Sequence, residues 1–445
     1  MTIGYARRIG PFSGTMLVVG GIIGSGIFLN PAIVAQRVGT SPLIMGTWAL
    51  GALVALLGAF IFAELGARQP AAGGGYVYLR DAFGPLPAFL YGWALLLAIA
   101  TGAAAAVAVT FASYAAPLLG VPAAGERWLA AAAIALLSGV NMLGVRPGAW
   151  TQNLFTLLKL AAIAALVFGA LGHHPGAVLV APVPATPTSR GSLAVGIAIG
   201  TALVPVLFSY GGWQQANFVA EEMLEPERNL PRALVGGVLL VAVVYLAVNY
   251  TYLHILGAPA LAASRAPAAD VMGRLFGPVG RRLIALGIAV STFGFLNLVI
   301  LVTPRVYQAM ARDGLFFARF AVLHPRFRTP VDAIAVQGAW ALVLLASGTY
   351  GQLLDWVTFA DWIFFGLTAA TLLVYRRRDR EGGARRYRAP GYPASLGLFL
   401  AACVYVVAGA VVSNPPNALR GTLLLVAGIP VFHWWARRRP ARLSA

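Results

Sequence analysis

The sequence predicts an all-α integral membrane protein of about twelve transmembrane helices, and three observations carry that prediction. Hydrophobic residues make up 59% of the 445-residue chain and charged ones 10%, where a soluble globular protein carries about 25% charged residues. Mean hydropathy is +0.79, which over such a length calls for a solvent other than water. The basic residues, finally, sit at the ends of apolar runs, as in Arg376-Arg377-Arg378 and Arg437-Arg438-Arg439. At about 20 residues per span, twelve spans consume roughly 240 residues and leave short loops with no room for a soluble domain. Residues 1–445 therefore read as one membrane-embedded unit.

Taken in order, the apolar runs lie at residues 12–37, 41–65, 86–119, 127–142, 151–171 and 192–221, then at 232–256, 281–310, 331–347, 353–375, 392–412 and 420–436. The first follows Arg7 and Arg8, as a secretory signal would, but it continues past Gly20 with no small-residue cleavage site and is read as a span. Orientation comes from basic residues in the loops. With the N-terminus inside, 23 arginines are cytoplasmic, among them Arg68, Arg80, Arg146 and Arg312, and eight are outside, among them Arg37, Arg127, Arg190 and Arg420. This asymmetry gives an even number of spans with both termini cytoplasmic, in a plasma (inner) membrane. The net charge of +18 then faces the anionic leaflet of the lipid bilayer. It does not mark a nucleic-acid partner, because no basic face is interleaved with aromatics. Cys403, the single cysteine, lies in an apolar run, and the five histidines lack metal-ligand spacing. No internal disulfide, metal or cofactor is expected.

Two spans are interrupted. The first carries Gly20-Gly21-Ile22-Ile23-Gly24-Ser25-Gly26 near its middle, and the sixth carries Pro205 followed by Ser209-Tyr210-Gly211-Gly212. Glycine costs about 1 kcal/mol against alanine in a helix, so these runs mark places where the helix unwinds. Gly20 and Gly24 also form a GxxxG pair, which reads as tight helix packing. A second break in the corresponding position of the next five spans favours inverted repeats with a binding site between two broken helices. Such a break suits a zwitterion. N–H groups opening the second half-helix bind a carboxylate, and carbonyls closing the first accept from an ammonium. An α-amino acid carries both charges one carbon apart.

The motifs around the breaks carry a resemblance. GGIIGSGIF (residues 20–28), AELG (63–66), GGGYVYLRDAFGPLPAF (73–89), LFSYGGWQQANFVAEEMLEPERNLP (207–231), STFGFLN (291–297) and RDG (312–314) resemble the amino acid–polyamine–organocation (APC) superfamily of transporters, in order and over nearly the whole chain. The L-type amino acid transporter branch is the most similar. The resemblance implies a five-plus-five inverted repeat of the LeuT type, with a first repeat at residues 12–171, a second at 192–375 and two further helices at 392–436. It implies that Ser25 and Gly26, beside Gly24, donate backbone N–H to the substrate carboxylate. Ile22, Phe208 and Gly211, around Ser209, would offer carbonyls to the amino group, with the Phe208 ring as an outer gate. Eukaryotic members of the branch are tethered to a glycoprotein subunit by an extracellular cysteine. None stands here, so a single-chain transporter of bacterial type, without a disulfide-linked heavy chain, is expected.

Two charges fall inside spans. Lys159 is the only lysine and sits about nine residues into the fifth span, roughly 13 Å deep at about 1.5 Å per residue. A lysine there costs at least about 2.5 kcal/mol unless compensated. It either snorkels to the inner interface or acts as a point charge able to release its proton. The resemblance implies that it takes the place a sodium ion holds in sodium-coupled relatives, bridging the broken first helix to the fifth and eighth near Ser291 and Thr292. Asp361, in the tenth span, stands where relatives commonly have asparagine. It is either protonated and hydrogen-bonded within the bundle, or it selects cationic or hydroxyl-bearing substrates or relays protons. Glu64, four residues before Arg68, reads as half of a helical ion pair. Glu221, Glu222, Glu225 and Glu227 read as a cytoplasmic latch on the sixth helix.

The function that follows is sodium-independent transport of neutral L-amino acids by alternating access and exchange. Proton-coupled uptake through Lys159 or Asp361, extending to cationic or polar amino acids, is the alternative. A membrane amino acid sensor would bind the same ligands and differ only in a flux measurement. An enzyme would need a nucleophile and base or a metal cluster at one depth, and neither HExxH nor a Ser-His-acid set stands out. A channel would need a selectivity ring, whereas paired broken helices build an occluded site.

Overall fold

Backbone N–H and C=O groups in a bilayer must satisfy one another, and the computed structural model answers with helices. It describes residues 4–172, 192–348, 350–378, 387–413 and 415–437; Arg190, Arg438 and Arg439, named above, lie outside these. The first helices are α1 (Pro11–Ile22), α2 (Gly26–Val38), α3 (Ser41–Arg68), α4 (Gly75–Phe83), α5 (Pro85–Ala94), α6 (Ala100–Leu119), α7 (Glu126–Met142) and α8 (Val145–Leu171). There follow α9 (Ser192–Ser209), a 3₁₀ segment (Trp213–Glu222), α10 (Pro226–Ala263), α11 (Pro267–Val302), α12 (Pro304–Arg312), α13 (Val331–Ser347), α14 (Tyr350–Arg378), α15 (Ala394–Ser413) and α16 (Pro415–Arg437).

Among the described residues nine helical stretches are long and apolar enough to cross a membrane, and ten if α1 and α2 count as one bent span. That is fewer than the twelve expected. Two expected runs fall on α13, an apolar helix of 17 residues, and on α14, neither of which is in that count. The helices around residues 257–281 also run past the expected boundaries. α10 continues to Ala263 through Gly257 (φ +75°), and α11 starts at Pro267 and bends at Gly277 (φ +59°). Arg265, Arg274 and Arg281 ended the apolar reading, but a helix needs only its backbone bonds, so polar residues at a membrane surface do not stop it.

The broken pair α1 and α2 is enclosed by α8, α9, α10 and α11, while α14 packs on α3, α4, α6, α15 and α16. One end of the bundle is tied by ion pairs. Glu64 is fully buried and accepts from Arg68 (2.7 Å), from Arg376 of α14 and from the Ala389 N–H (2.7 Å), so the expected helical pair is one part of a larger knot. Arg80 pairs with Asp313 at 2.7 Å. Of the four glutamates read as a latch, Glu222 is the buried one, 2.7 Å from Arg305, with Arg8 and Ile9 donating backbone N–H to its carbonyl. Tyr5 covers this pair, its ring centroid 5.8 Å from the Arg305 guanidinium, and burial pushes its phenol well above the ordinary value. The ring therefore stays neutral over the guanidinium.

Candidate substrate site

α1 ends at Ile22 because Ile23 leaves the helical region (φ −75°, ψ 91°), and α2 restarts at Gly26 on an axis bent by 42°. Across the gap, the Ile23 N–H donates to the Val19 carbonyl and the Gly24 N–H to the Ile22 carbonyl, both at 2.9 Å. The N–H groups of Ser25, Gly26 and Ile27 make no backbone hydrogen bond among the described residues. That is the ordinary condition of a helix N-terminus and a ready anion site. On the carbonyl side, Lys159 Nζ donates to Gly20 (3.1 Å) and Ile23 (2.7 Å), and Ser291 Oγ donates to the same Ile23 oxygen (3.1 Å). Tyr245 Oη from α10 lies 3.0 Å from the Ile22 carbonyl and 3.1 Å from that of Ser209, touching both breaks.

The second break starts with a proline. Pro205 has no N–H, so the Thr201 carbonyl loses its helical donor, and Arg37 of α2 donates to it instead. Asn30, also on α2, donates to the Pro205 carbonyl (3.0 Å) and to Ser209 Oγ (2.8 Å). Past Ser209 the Gly211 N–H donates to the Phe208 carbonyl (3.1 Å). Gly212 turns the chain at φ +103°, its N–H held by Gln214 Oε1 at 3.0 Å. The two breaks meet backbone to backbone. A Cβ on Gly21 would come within 2.8 Å of the Gly212 oxygen, and one on Gly26 within 2.7 Å of Ser209 Oγ. Glycine thus serves close packing as well as unwinding, but not as the Gly20–Gly24 pair: a Cβ on Gly20 would strike Gln152 and Thr156, whereas one on Gly24 would meet only Phe295 at 3.8 Å.

Between the breaks lies a cavity of about 140 Å³. Ile22, Gly24, Ser25, Gly26, Phe208, Ser209 and Gly211 all line it, with Thr292 and Asp361. Lys159 and Ser291 stand behind α1 and are fully buried. Snorkelling is thereby overturned for Lys159, whose ammonium turns into the break because carbonyls there lack helical donors. Thr292 is not its partner as expected: the hydroxyl bonds back to Ile288 (2.8 Å) and Ala289 (3.0 Å) of its own helix, as hydroxyls in helix interiors do. The Ile22 carbonyl is already engaged by Gly24 and Tyr245. The Phe208 ring is 46% exposed, so in this conformation it is not packed shut over the cavity. Sequence reading missed Tyr245, Asn30 and a π-helical turn at Leu95–Ile99, of which Leu95 and Ile99 line the cavity. Asn30 carried a signal, a lone amide in an apolar run just past the break; the tyrosine and the π turn carried none.

Helices broken in mid-span around a cavity are the build of a membrane transporter. The comparisons agree. The family model described as amino acid permease matches residues 9–432. The serine/threonine exchanger of Bacillus subtilis (strain 168) is 32% identical over 439 residues, 98% of each chain. The b(0,+)-type amino acid transporter 1 of Homo sapiens is 34% identical over 389 residues, 85% of this chain and 78% of that one. The large neutral amino acids transporter small subunit 2 of Oryctolagus cuniculus is 30% identical over 442 residues, 97% of this chain and 80% of that one. The chain belongs to the amino acid permease family, within the APC superfamily and on its L-type branch. It is a multi-pass membrane transporter of amino acids and not an enzyme.

Proposed function

We propose that the protein exchanges neutral L-amino acids across the plasma membrane, without sodium, by alternating access around the cavity between the two breaks. The observation that carries this reading is the division of labour at the first break. Ser25 and Gly26, whose N–H groups have no backbone partner among the described residues, line the cavity, and the Lys159 ammonium holds the Gly20 and Ile23 carbonyls. The N–H groups take the substrate carboxylate. Its ammonium falls to the Phe208 and Gly211 carbonyls, since that of Ile22 already accepts from Gly24 and shares the Tyr245 hydroxyl with Ser209. A fixed ammonium on the carbonyls does what a bound metal ion would do, which supports sodium independence. The exposed Phe208 ring serves as the outer gate in its open position. Twelve spans, with repeats at residues 12–171 and 192–375, helices at 392–436, both termini cytoplasmic and no disulfide-linked heavy chain, complete the proposal. Exchange is supported by the name of the Bacillus subtilis relative.

The test is uptake of labelled amino acids into proteoliposomes with and without unlabelled amino acid inside, repeated with and without Na⁺ and a pH gradient. Uptake that requires internal amino acid and ignores Na⁺ is expected. Strict Na⁺ dependence overturns the role given to Lys159. Accumulation driven by an inward proton gradient into empty vesicles replaces exchange with proton-coupled uptake, and saturable binding with no flux makes the protein a sensor.

A further inference from the structure

The lining of the cavity contains one charged residue among the described residues, Asp361. It enters on α14, from the wall built with α3, α4 and α6, whereas the first break is held from the other side by α8, α10 and α11. Its companions in the lining on that wall are neutral: Trp362, Phe365 and Tyr91, the last packed against Phe364 at 5.1 Å and Phe218 at 6.4 Å between ring centroids. Among the described residues the Asp361 carboxylate has neither an ion pair nor a hydrogen bond. The fully buried acids differ sharply. Glu64 has two arginines and a backbone N–H, and Glu222 has Arg305. Nor can Lys159 serve, because its ammonium is committed to Gly20 and Ile23 behind α1. A carboxylate in a low-dielectric cavity is strongly disfavoured until something with a positive charge or donors reaches it.

We propose that Asp361 forms a side-chain subsite, which admits amino acids bearing a cation at the end of the side chain, the lysine, ornithine and arginine class, beside neutral ones. The inference rests on the cavity being the amino acid site. With the α-carboxylate on the Ser25 and Gly26 N–H groups, a distal ammonium or guanidinium gives Asp361 a partner that none of the described residues supplies. Charge-assisted hydrogen bonds of this kind are the strong ones.

The experiment compares lysine with norleucine, which shares its four-carbon stem and lacks the terminal ammonium. Two readouts are used, competition for exchange in proteoliposomes and thermal stabilisation of the purified protein, the second independent of flux. Lysine should compete at least as well as norleucine in the wild-type protein. In the isosteric Asp361→Asn variant the lysine-to-norleucine affinity ratio should fall roughly tenfold or more. A wild-type protein that binds norleucine and ignores lysine overturns the subsite and leaves neutral exchange standing. An unchanged ratio in the variant, with both ligands weakened together, also overturns it and assigns Asp361 to the α-ammonium common to both. A lysine preference in stabilisation that the variant loses, with no flux of either ligand, upholds the subsite while exchange fails.

Discussion

At the first break the carbonyls of Gly20 and Ile23 are held by groups from other walls of the bundle, Lys159 on α8 and Ser291 on α11. At the second, the carbonyls of Thr201 and Pro205 are held by Arg37 and Asn30, both on α2. The difference concerns which parts can move apart. The first break is anchored to α8 by the charge-assisted bonds of Lys159 and to α11 by the neutral Ser291 hydroxyl, while α2 and α9 are bonded to each other through Arg37 and Asn30 and form one piece. A transition between discrete packings that opens the cavity on its other side has to release the first set and can keep the second. Tyr245 is the one described group within hydrogen-bond reach of both breaks, so it reports on whether they separate.

Four substitutions break or sharpen this comparison. The largest effect is expected for Lys159→Ala, which removes the donor from Gly20 and leaves Ile23 with Ser291 alone. At about 1.5–3 kcal/mol per charge-assisted bond, exchange should fall roughly hundredfold or more while membrane insertion survives. Exchange assays beside expression measurements check it, and wild-type rates in the variant would remove α8 as an anchor. Arginine should not restore activity, because the ammonium lies close to α11, 3.7 Å from where a Gly294 Cβ would stand.

Tyr245→Phe keeps the ring and deletes the hydroxyl between the breaks. At about 1–2 kcal/mol for one buried hydrogen bond, a roughly tenfold loss of exchange rate is expected. A loss exceeding that of Lys159→Ala would show that contact between the breaks, rather than the anchor, controls transport. Asn30→Ala is milder, since the Pro205 carbonyl keeps Ser209 Oγ as a donor at 2.8 Å. About 1 kcal/mol should appear as a lowered melting temperature and a rate reduced roughly fivefold. The smallest change is Gly24→Ala. A Cβ there meets Phe295 at 3.8 Å, which is ordinary contact. The substitution therefore tests backbone freedom alone and should alter apparent substrate affinity by about threefold or less. A complete loss of binding would mean that Gly24 must adopt a conformation closed to alanine during the cycle.

The breaks themselves were legible in the sequence because glycine and proline act on their own backbone. Pro205 removes an N–H wherever the helix lies, and Gly24-Ser25-Gly26 weakens any helix that contains it. The span positions were legible for a similar reason, since apolar composition decides the solvent of a segment residue by residue. Ends were less so: α10 and α11 outrun their apolar runs, because helical hydrogen bonding does not stop at an arginine. Thr292 was misread as a partner of Lys159 because a hydroxyl can turn to its own helix, which spacing does not reveal.

The sequence by itself determined that Lys159, Asp361 and Glu64 would each be costly among apolar residues and would each need a partner. It could not determine what each would find. Lys159 meets carbonyls 139 and 136 residues away, Tyr245 reaches across 223 residues to Ile22, and Glu64 gathers Arg376 from 312 residues away. A hydrogen bond forms only at about 3 Å and in a narrow range of directions. Which helix faces come that close is settled by how the whole bundle packs. Tertiary structure therefore gave Glu64 a full set of donors and turned Lys159 into the broken helix. It left Asp361 facing the cavity with no partner among the described residues.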